Sequence, residues 1–173
     1  MVTGKHIAET ALNSGLIGTP YSKLDCQALV EKVLFLAGLQ IINYRGSNHM
    51  WRDLVYQREP IEDAVILPGM LAFIVKNDGG EKKRGYRDDM GNASHVAVTL
   101  GDGRVFESTT GGVQISSIKR FTHVARVIDV DYGEPEQNDF PLTISERIYQ
   151  ICKLLEQARA DLEVIRDDIY RNS

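Results

Sequence analysis

Residues 26–37 are the part of the sequence that most restricts the fold. They read Cys-Gln-Ala-Leu-Val-Glu-Lys-Val-Leu-Phe-Leu-Ala and are followed by Gly38, a residue type common at helix C-termini. Asp25, just before them, is a residue type that caps helix N-termini. A helix this apolar has to be covered by other elements. We therefore predict a buried central helix with Cys26 in its first turn.

The chain changes from helical to strand periodicity after this helix. The spacing of apolar residues predicts two further helices, over residues 5–15 and 47–57. It then predicts a long exposed loop over 77–94 and the strands 70–75, 95–100, 104–108, 113–117 and 124–130. Helices followed by consecutive antiparallel strands indicate an α+β fold, with the central helix packed on one face of the sheet.

The last part of the chain is separate from this pattern. Residues 131–142 have little to bury and are predicted to be a linker between a domain over 1–130 and a C-terminal helix over 143–173. Apolar residues of this helix recur at alternating steps of four and three, the heptad pattern of a coiled coil. The pattern favours a homo-oligomer formed through residues 143–173, although the helix folding back on its own domain stays open.

Composition and charge exclude several classes of function. Hydrophobic residues at 43% and charged residues at 25% are ordinary for a globular protein, and a net charge of -4 gives no reason to expect nucleic acid or a membrane as partner. The first residues lack the features of a signal peptide, so we expect synthesis in the cytoplasm. No metal and no cofactor are expected. Cys26 and Cys152 do not make a disulfide framework, and Cys152, which flanks the heptad seam, reads as an ordinary thiol.

Cys26 and His95 are candidates for a catalytic pair. The positive end of a helix dipole favours the thiolate of a cysteine in the first turn, and a nearby imidazolium favours it further. His95 opens an apolar strand directly after the long polar loop, which places its ring at a sheet edge. None of the other histidines, His6, His49 and His123, is as well placed. A packing cysteine and a strand-end histidine remain the alternative interpretation.

Four motifs, in this order, resemble the NlpC/P60 cysteine peptidases. That family has a Gly-x-Pro-Tyr segment, then Asp-Cys-Ser-Gly-Leu-Val, a Pro-Gly-Asp-Leu turn and a His-Val-Gly-Ile strand. The corresponding segments here are Gly-Thr-Pro-Tyr at 18–21, Asp-Cys-Gln-Ala at 25–28, Pro-Gly-Met-Leu at 68–71 and His-Val-Ala-Val at 95–98. The similarity covers residues 5–130 and implies a papain-like fold with Cys26 as nucleophile and His95 as base. Gln27 and Ala28 depart from the family's Ser-Gly.

The resemblance also assigns the remaining site residues. The family's third catalytic residue, typically His, Asn or Gln, aligns with Glu107. A carboxylate there would fix the tautomer of the imidazole and stabilise the imidazolium, although Glu107 could equally be an exposed strand residue. By the same resemblance, Tyr21, Asp25 and Ser94 are expected to contact the substrate, and Asp25 to bind a free amine of it.

The activity implied is that of a cysteine endopeptidase acting on peptidoglycan stem peptides. The resemblance implies cleavage of a D-γ-glutamyl bond to diaminopimelate or lysine through a thioester on Cys26. The CHAP amidases and endopeptidases share the Cys, His, Glu order and are the nearest rival. A non-catalytic, oligomeric structural or binding protein of a phage is the alternative of a different class. A peptidase made without a signal peptide is expected to reach the cell wall on lysis or in a phage particle.

Overall fold

The computed structural model describes residues 1–76, 86 and 88–133. Within these residues the helices are α1 (Gly4–Asn13), α2 (Cys26–Leu36), α3 (Ser47–Asp53) and a short 3-10 helix (Ile118–Arg120). The strands are β1 (Val2–Thr3), β2 (Val55–Pro60), β3 (Leu71–Lys76), β4 (Asn92–Thr99), β5 (Arg104–Thr109), β6 (Gly112–Ser117), β7 (His123–Val127) and β8 (Val130–Asp131). The predicted α+β class is confirmed.

Strands β2 to β7 form one antiparallel sheet in the order β2-β7-β3-β4-β5-β6. Its centre, β3 paired with β4, places Ile74 opposite His95. At the other end β5 pairs with β6, so that Glu107 lies opposite Gln114. Strands β1 and β8 form a separate parallel pair in which Val2 lies opposite Val130. The sheet therefore carries both His95 and Glu107, on neighbouring strands.

Helix α2 is the buried central helix that the sequence predicts. Its inward residues are fully buried against strand residues of the same core, namely Leu29, Val30, Val33 and Leu34 against Val96, Val98 and Phe106. Burying such a side chain is worth about 1.5–3 kcal/mol, so this interface contributes most to holding the helix in place. Asp25 caps its N-terminus, and Gly38 follows its C-terminus with φ of 94°, a conformation that favours glycine.

The opposite face of the sheet is covered by a second, smaller core. This core contains Ala97, Val105 and Val124 from the sheet, together with Ile118 and Phe121 on either side of Lys119 and Arg120. The amide of Ile118 also donates a 3.0 Å hydrogen bond to the carbonyl of Gly103. The 3-10 helix is thereby fixed against the face of β5 that carries Val105 and, two residues further on, Glu107.

Two of the predicted elements need correction. The helix predicted over 47–57 ends at Asp53, because Val55–Pro60 is a strand paired with β7. The Arg58 guanidinium donates to the carbonyls of Trp51 and Arg52, which terminates α3 there. The loop predicted over 77–94 is also too long, since β4 already begins at Asn92, opposite Lys76.

The structured domain continues past the predicted boundary at residue 130. Asp131, predicted as the first linker residue, belongs to β8, and the Tyr132 hydroxyl bridges the Gly69 carbonyl and the Val127 amide at 3.0 Å each. The rest of the predicted linker and the heptad helix over 143–173, with Cys152 and the predicted oligomer interface, lie outside the described residues. None of the helices in the described part of the chain is long and apolar enough to cross a membrane.

Candidate active site

Cys26 is the first residue of α2 and is 8% exposed. The Asp25 carboxylate before it accepts a 2.8 Å hydrogen bond from the Ala28 amide. One oxygen of this carboxylate therefore caps the helix. The Cys26 amide is one of the first amides of the helix, which have no acceptor within it. It is therefore suited to stabilise an oxyanion beside the sulfur.

Several donors surround the Cys26 sulfur. The Tyr21 hydroxyl lies 3.9 Å from it, and the His95 ring and the Val96 amide are close enough to lower the pKa of the thiol. Burial alone would raise the pKa of the thiol, but the His95 hydrogen bond and charge, followed by these other donors, lower it below its ordinary value. The same proximity, after burial, raises the pKa of Tyr21. These surroundings favour the thiolate form of Cys26.

A β-bulge in β4 lies directly before His95, which is close to Cys26. Ile74 pairs with His95 but Val75 pairs with Ala93, so Ser94 is an extra residue in β4. Bulges bend a strand and redirect its side chains, and they are frequent beside active sites. The exposed Ser94 donates a 3.2 Å hydrogen bond from its hydroxyl to the Ile74 carbonyl across the bulge. Ser94, predicted to contact substrate, is therefore also part of the structure that orients His95.

His95 and Glu107 form a short hydrogen-bonded ion pair. The distance between His95 Nε2 and Glu107 Oε2 is 2.7 Å, and the two side chains are 14% and 1% exposed. Because Glu107 occupies Nε2, Nδ1 is the ring nitrogen left for Cys26. Burial alone would lower the pKa of His95, but hydrogen bonds and charge from Cys26 and Glu107 raise it to about 9. The His95 ring therefore lies between the Cys26 sulfur and the Glu107 carboxylate.

Glu107 is fully buried, so the alternative in which it is an exposed strand residue is wrong. Both of its carboxylate oxygens are bonded: Ser116 Oγ donates to Oε1, and Arg120 Nη2 donates to Oε2. Burial alone would raise the pKa of Glu107, but the hydrogen bonds from His95 and Ser116 and the charge of Arg120 lower it below its usual range. The residue is thus held as a carboxylate that faces the imidazole.

Ser116 and Arg120 are site residues that the sequence alone did not reveal. A buried carboxylate needs donors and a cation, so a buried Glu107 implies an arginine or lysine beside it. The sequence leaves its burial open, and Lys119 beside Arg120 is an equally good cation on sequence grounds. The position of the 3-10 helix determines that Arg120, and not Lys119, contacts Glu107.

The departure from the family motif at residues 27 and 28 has a structural role away from the sulfur. Gln27 Nε2 donates to the Tyr44 carbonyl at 2.5 Å and to Glu31 Oε1 at 3.0 Å, while the Tyr44 amide donates to the same Glu31 oxygen at 2.7 Å. Gln27 therefore fixes the segment between α2 and α3 against α2. Ala28 lines an open groove with Leu24 and Phe35.

The segment that carries Tyr21 is attached to β6 by a close backbone contact. Gly18 N donates to the Val113 carbonyl at 2.8 Å, and Val113 N donates to the Thr19 carbonyl at 2.9 Å. Gly112 has φ of 93°, and a Cβ atom there would lie 2.8 Å from the Thr19 oxygen, closer than such contacts allow. Glycine at 112 thus permits the approach that holds Tyr21 near Cys26.

No group of three or more His, Cys, Asp or Glu side chains among the described residues could hold a metal ion. The chemistry that the arrangement supports is nucleophilic, with a thiolate, an imidazolium and a buried carboxylate in series.

Comparison with known proteins identifies the fold. No protein-family model matches the sequence, and a search of curated proteins found no match. The NlpC/p60 domain of the peptidoglycan hydrolase SagA is similar in structure, with a TM-score of 0.53 and 20% identity over 73% of this chain and 100% of that domain. At this identity the similarity establishes the fold, and the predicted papain-like NlpC/P60 fold is confirmed.

Two further solved structures resemble the chain more weakly. NlpC1 from Trichomonas vaginalis gives a TM-score of 0.47 at 20% identity, and a lipoprotein-like protein of the NLP/P60 family from Staphylococcus aureus gives 0.48 at 17% identity. Each match covers 72% of this chain but less than half of the other protein, 43% and 41% respectively.

Proposed function

We propose that the protein is a cysteine endopeptidase that hydrolyses peptidoglycan stem peptides, with Cys26 as nucleophile, His95 as acid and base, and Glu107 as the residue that positions His95. The observation that carries the proposal is the placement of Cys26 at the N-terminus of a buried helix beside His95, whose ring is hydrogen-bonded at 2.7 Å to the buried Glu107. The fold shared with the NlpC/p60 domain of a peptidoglycan hydrolase supports the substrate class.

The first half of the reaction forms a thioester. The Cys26 thiolate attacks the scissile carbonyl carbon, and the oxyanion that develops accepts a hydrogen bond from the Cys26 amide. His95 then gives its Nδ1 proton to the leaving amine, the carbon–nitrogen bond breaks, and the acyl group stays on the sulfur. An oxyanion donor of this kind is worth about 2.7–4 kcal/mol of transition-state stabilisation.

The second half releases the acyl group. His95, now neutral, accepts a proton from a water molecule as the water attacks the thioester carbonyl. Collapse of the tetrahedral intermediate expels the Cys26 thiolate, leaves a free carboxylic acid and restores the imidazolium. Proton transfer by a positioned side chain contributes about 10²–10⁴-fold, and Glu107 serves it by holding the ring in place.

The bond proposed is the D-γ-glutamyl bond to diaminopimelate or lysine. Tyr21 is 38% exposed with its hydroxyl beside the sulfur, which suits contact with groups next to the scissile carbonyl. Ser94 is exposed on the bulge beside His95. Asp25 is exposed as well and has one carboxylate oxygen engaged by the helix cap, which leaves the other for an amine of the substrate.

Mass spectrometry of muropeptides after digestion of peptidoglycan tests both the activity and the bond. We expect products cut within the stem peptide with the wild-type protein and none with Cys26→Ala. Release of intact stem peptides from the glycan would instead indicate an amidase, as in the CHAP alternative. Products formed equally by Cys26→Ala would contradict the proposal. So would slow alkylation of Cys26 that is unaffected by His95→Ala, the behaviour of a non-catalytic scaffold.

Self-association through residues 143–173 and a role in a phage particle are proposals from the sequence alone. Light scattering tests the first by comparing the full-length protein with a chain that ends at Gly133. A larger assembly only for the full-length protein supports the proposal, and equal monomeric masses contradict it.

A further inference from the structure

Arg120 is partly exposed to solvent and also contacts Glu107, the most deeply buried charged group of the site. Its side chain is 46% exposed, yet its Nη2 donates to Glu107 Oε2 and lies 3.3 Å from His95 Nε2. The guanidinium carbon lies 5.2 Å from the centre of the Phe121 ring, and that ring packs 5.7 Å from the His95 ring. Since Phe121 is buried in the core of this sheet face, the position of Arg120 is fixed by the fold.

The burial of Glu107 creates an electrostatic problem during turnover. A carboxylate that is 1% exposed becomes protonated unless cations and donors hold it ionised. His95 supplies a positive charge only while it is an imidazolium. In the proposed thioester state, His95 has given its proton to the leaving amine and is neutral. The guanidinium of Arg120 cannot lose its charge at any working pH.

The protonation of Glu107 decides which nitrogen of neutral His95 carries the proton. An ionised Glu107 accepts from Nε2–H, which leaves the Nδ1 lone pair free to take a proton from water. A protonated Glu107 would donate to Nε2 instead, and the ring proton would then be on Nδ1. In that tautomer His95 cannot act as a base toward the thioester.

We propose that Arg120 is a positioning residue that keeps Glu107 ionised while His95 is neutral, and that it thereby selects the tautomer needed to hydrolyse the thioester. The inference rests on the proposed function, because it requires a step in which His95 has lost its proton. It assigns Arg120 to the second half of the reaction. Formation of the thioester depends on it less, since the imidazolium itself then holds Glu107 as a carboxylate.

The charged groups around His95 indicate that Arg120 affects hydrolysis of the thioester more than its formation. Within the described part of the chain, Cys26 faces it from α2, Glu107 from β5 and Arg120 from the 3-10 helix. Tyr21, which Asp25 influences, lies beside the Cys26 sulfur. Replacing Arg120 leaves the thiolate and imidazolium pair with all its other partners. It removes the one permanent cation that touches Glu107 among these groups.

The test compares Arg120→Met and Arg120→Gln with wild type on a soluble muropeptide. In both variants we expect kcat at neutral pH to fall about tenfold or more, with an acyl-enzyme on Cys26 visible by intact-protein mass spectrometry. The rate of thioester hydrolysis should recover as pH rises and Glu107 loses its proton. The rate of Cys26 alkylation should stay near that of wild type. Arg120→Lys, which retains the charge, should restore turnover at least in part.

Lys119→Met is the matched control, because it removes the adjacent cation on the same 3-10 helix and should leave turnover unchanged. Thermal unfolding of each variant shows that it is folded, and Arg120→Gln retains a donor for Glu107 if Arg120→Met does not fold. Wild-type turnover and pH dependence in Arg120→Gln would overturn the inference. So would an equal loss of alkylation and turnover. If the wild-type protein itself shows neither fast alkylation nor products, the proposed function fails instead.

Discussion

The Ser108 hydroxyl donates a 2.5 Å hydrogen bond to the Leu24 carbonyl, 84 residues away in sequence. Leu24 lies two residues before Cys26, and Ser108 directly follows Glu107 on β5 and is fully buried. Strand β5 therefore carries the Glu107 carboxylate at one end of the site, and at the other end it holds the segment that leads into Cys26. The distance between Cys26 and His95 depends on this bond as well as on the packing of α2.

Ser108→Ala should lower both stability and turnover. Losing one side-chain hydrogen bond costs about 0.5–1.5 kcal/mol of the free energy of unfolding, measured by urea denaturation. Ser14→Ala is the control, because Ser14 makes a similar 2.7 Å bond to the Ala11 carbonyl at the end of α1. It should lower stability similarly and leave kcat unchanged. Equal kcat in the two variants would show that the Ser108 bond does not position Cys26.

Glu107→Gln should lower kcat by about 10²-fold, because the amide cannot stabilise the imidazolium as a carboxylate does. It should also lower the pKa of His95, and it leaves the buried end of Arg120 without its anion. Glu59→Gln, at an exposed position of β2, is the control and should match wild type in both assays. Activity near the wild-type level in Glu107→Gln would exclude a role for the charge.

The His95 ring should titrate in NMR with a pKa of about 9 in the wild-type protein. In Cys26→Ala the pKa should fall, because the thiolate that favours the protonated ring is removed. A folded-state pKa above the ordinary 6.5 means that the stability from His95 is complete below about pH 6.5 and is lost as pH rises through about 9. Titration near 6.5 in the wild-type protein would contradict the ion pair.

The lowered pKa of Cys26 acts on stability in the opposite direction to that of His95. Its contribution is complete above the unfolded pKa of the thiol and is lost as pH falls through the lower folded value. Thermal unfolding of the wild-type protein therefore combines two opposing trends, and the NMR titration separates them.

Asp25→Ala should destabilise the protein by about 1 kcal/mol through loss of the helix cap, and Asp25→Ser should recover most of this because serine also caps helices. The same pair of variants tests the predicted contact with a free amine of the substrate. Asp25→Ser should raise KM for a stem peptide with a free amine and not for its acetylated form. Equal KM for the two forms in both proteins would restrict Asp25 to capping.

Gly112→Ala should destabilise the protein by about 1–3 kcal/mol, because alanine is strained at positive φ and its Cβ would meet the Thr19 carbonyl. Displacement of residues 18–19 should also lower activity through Tyr21. Gly111→Ala is the control, since a Cβ at 111 comes no nearer than 3.6 Å to the atoms around it. Calorimetry and turnover together check the prediction, and equal melting temperatures for the two variants would exclude it.

The central helix could be predicted because its local signals agree with its environment. Asp25 as cap, the apolar run and Gly38 all indicate the same element, and the sheet buries it. Residues 55–57 were assigned wrongly because Val55 continues the helical spacing of Trp51 and Leu54. Their strand depends on pairing with β7, where Val55 lies opposite Val127, and nothing in the local sequence reveals that partner.

The site was predictable only in part for a similar reason. Cys26 and His95 lie in ordered motifs, but strand alternation does not say which face of β5 is covered, and the charge of Glu107 favours exposure. The burial of Glu107 depends on Arg120, which lies thirteen residues later on a short 3-10 helix. No periodic pattern in the sequence predicts that helix. Local sequence therefore singles out Cys26 and His95 as candidates, and tertiary packing identifies the groups that control the charge on Glu107.

The parallel pairing of β1 with β8 has a consequence for how the domain joins longer chains. Val2 lies opposite Val130, and paired strands are about 4.8 Å apart. The first and last strands of the described domain are thus adjacent. A host protein can therefore accommodate the domain as an insertion in one surface loop without moving the two ends of that loop apart. Circular permutation is feasible as well, with a short linker across this pair and new ends in the exposed turn at 101–103.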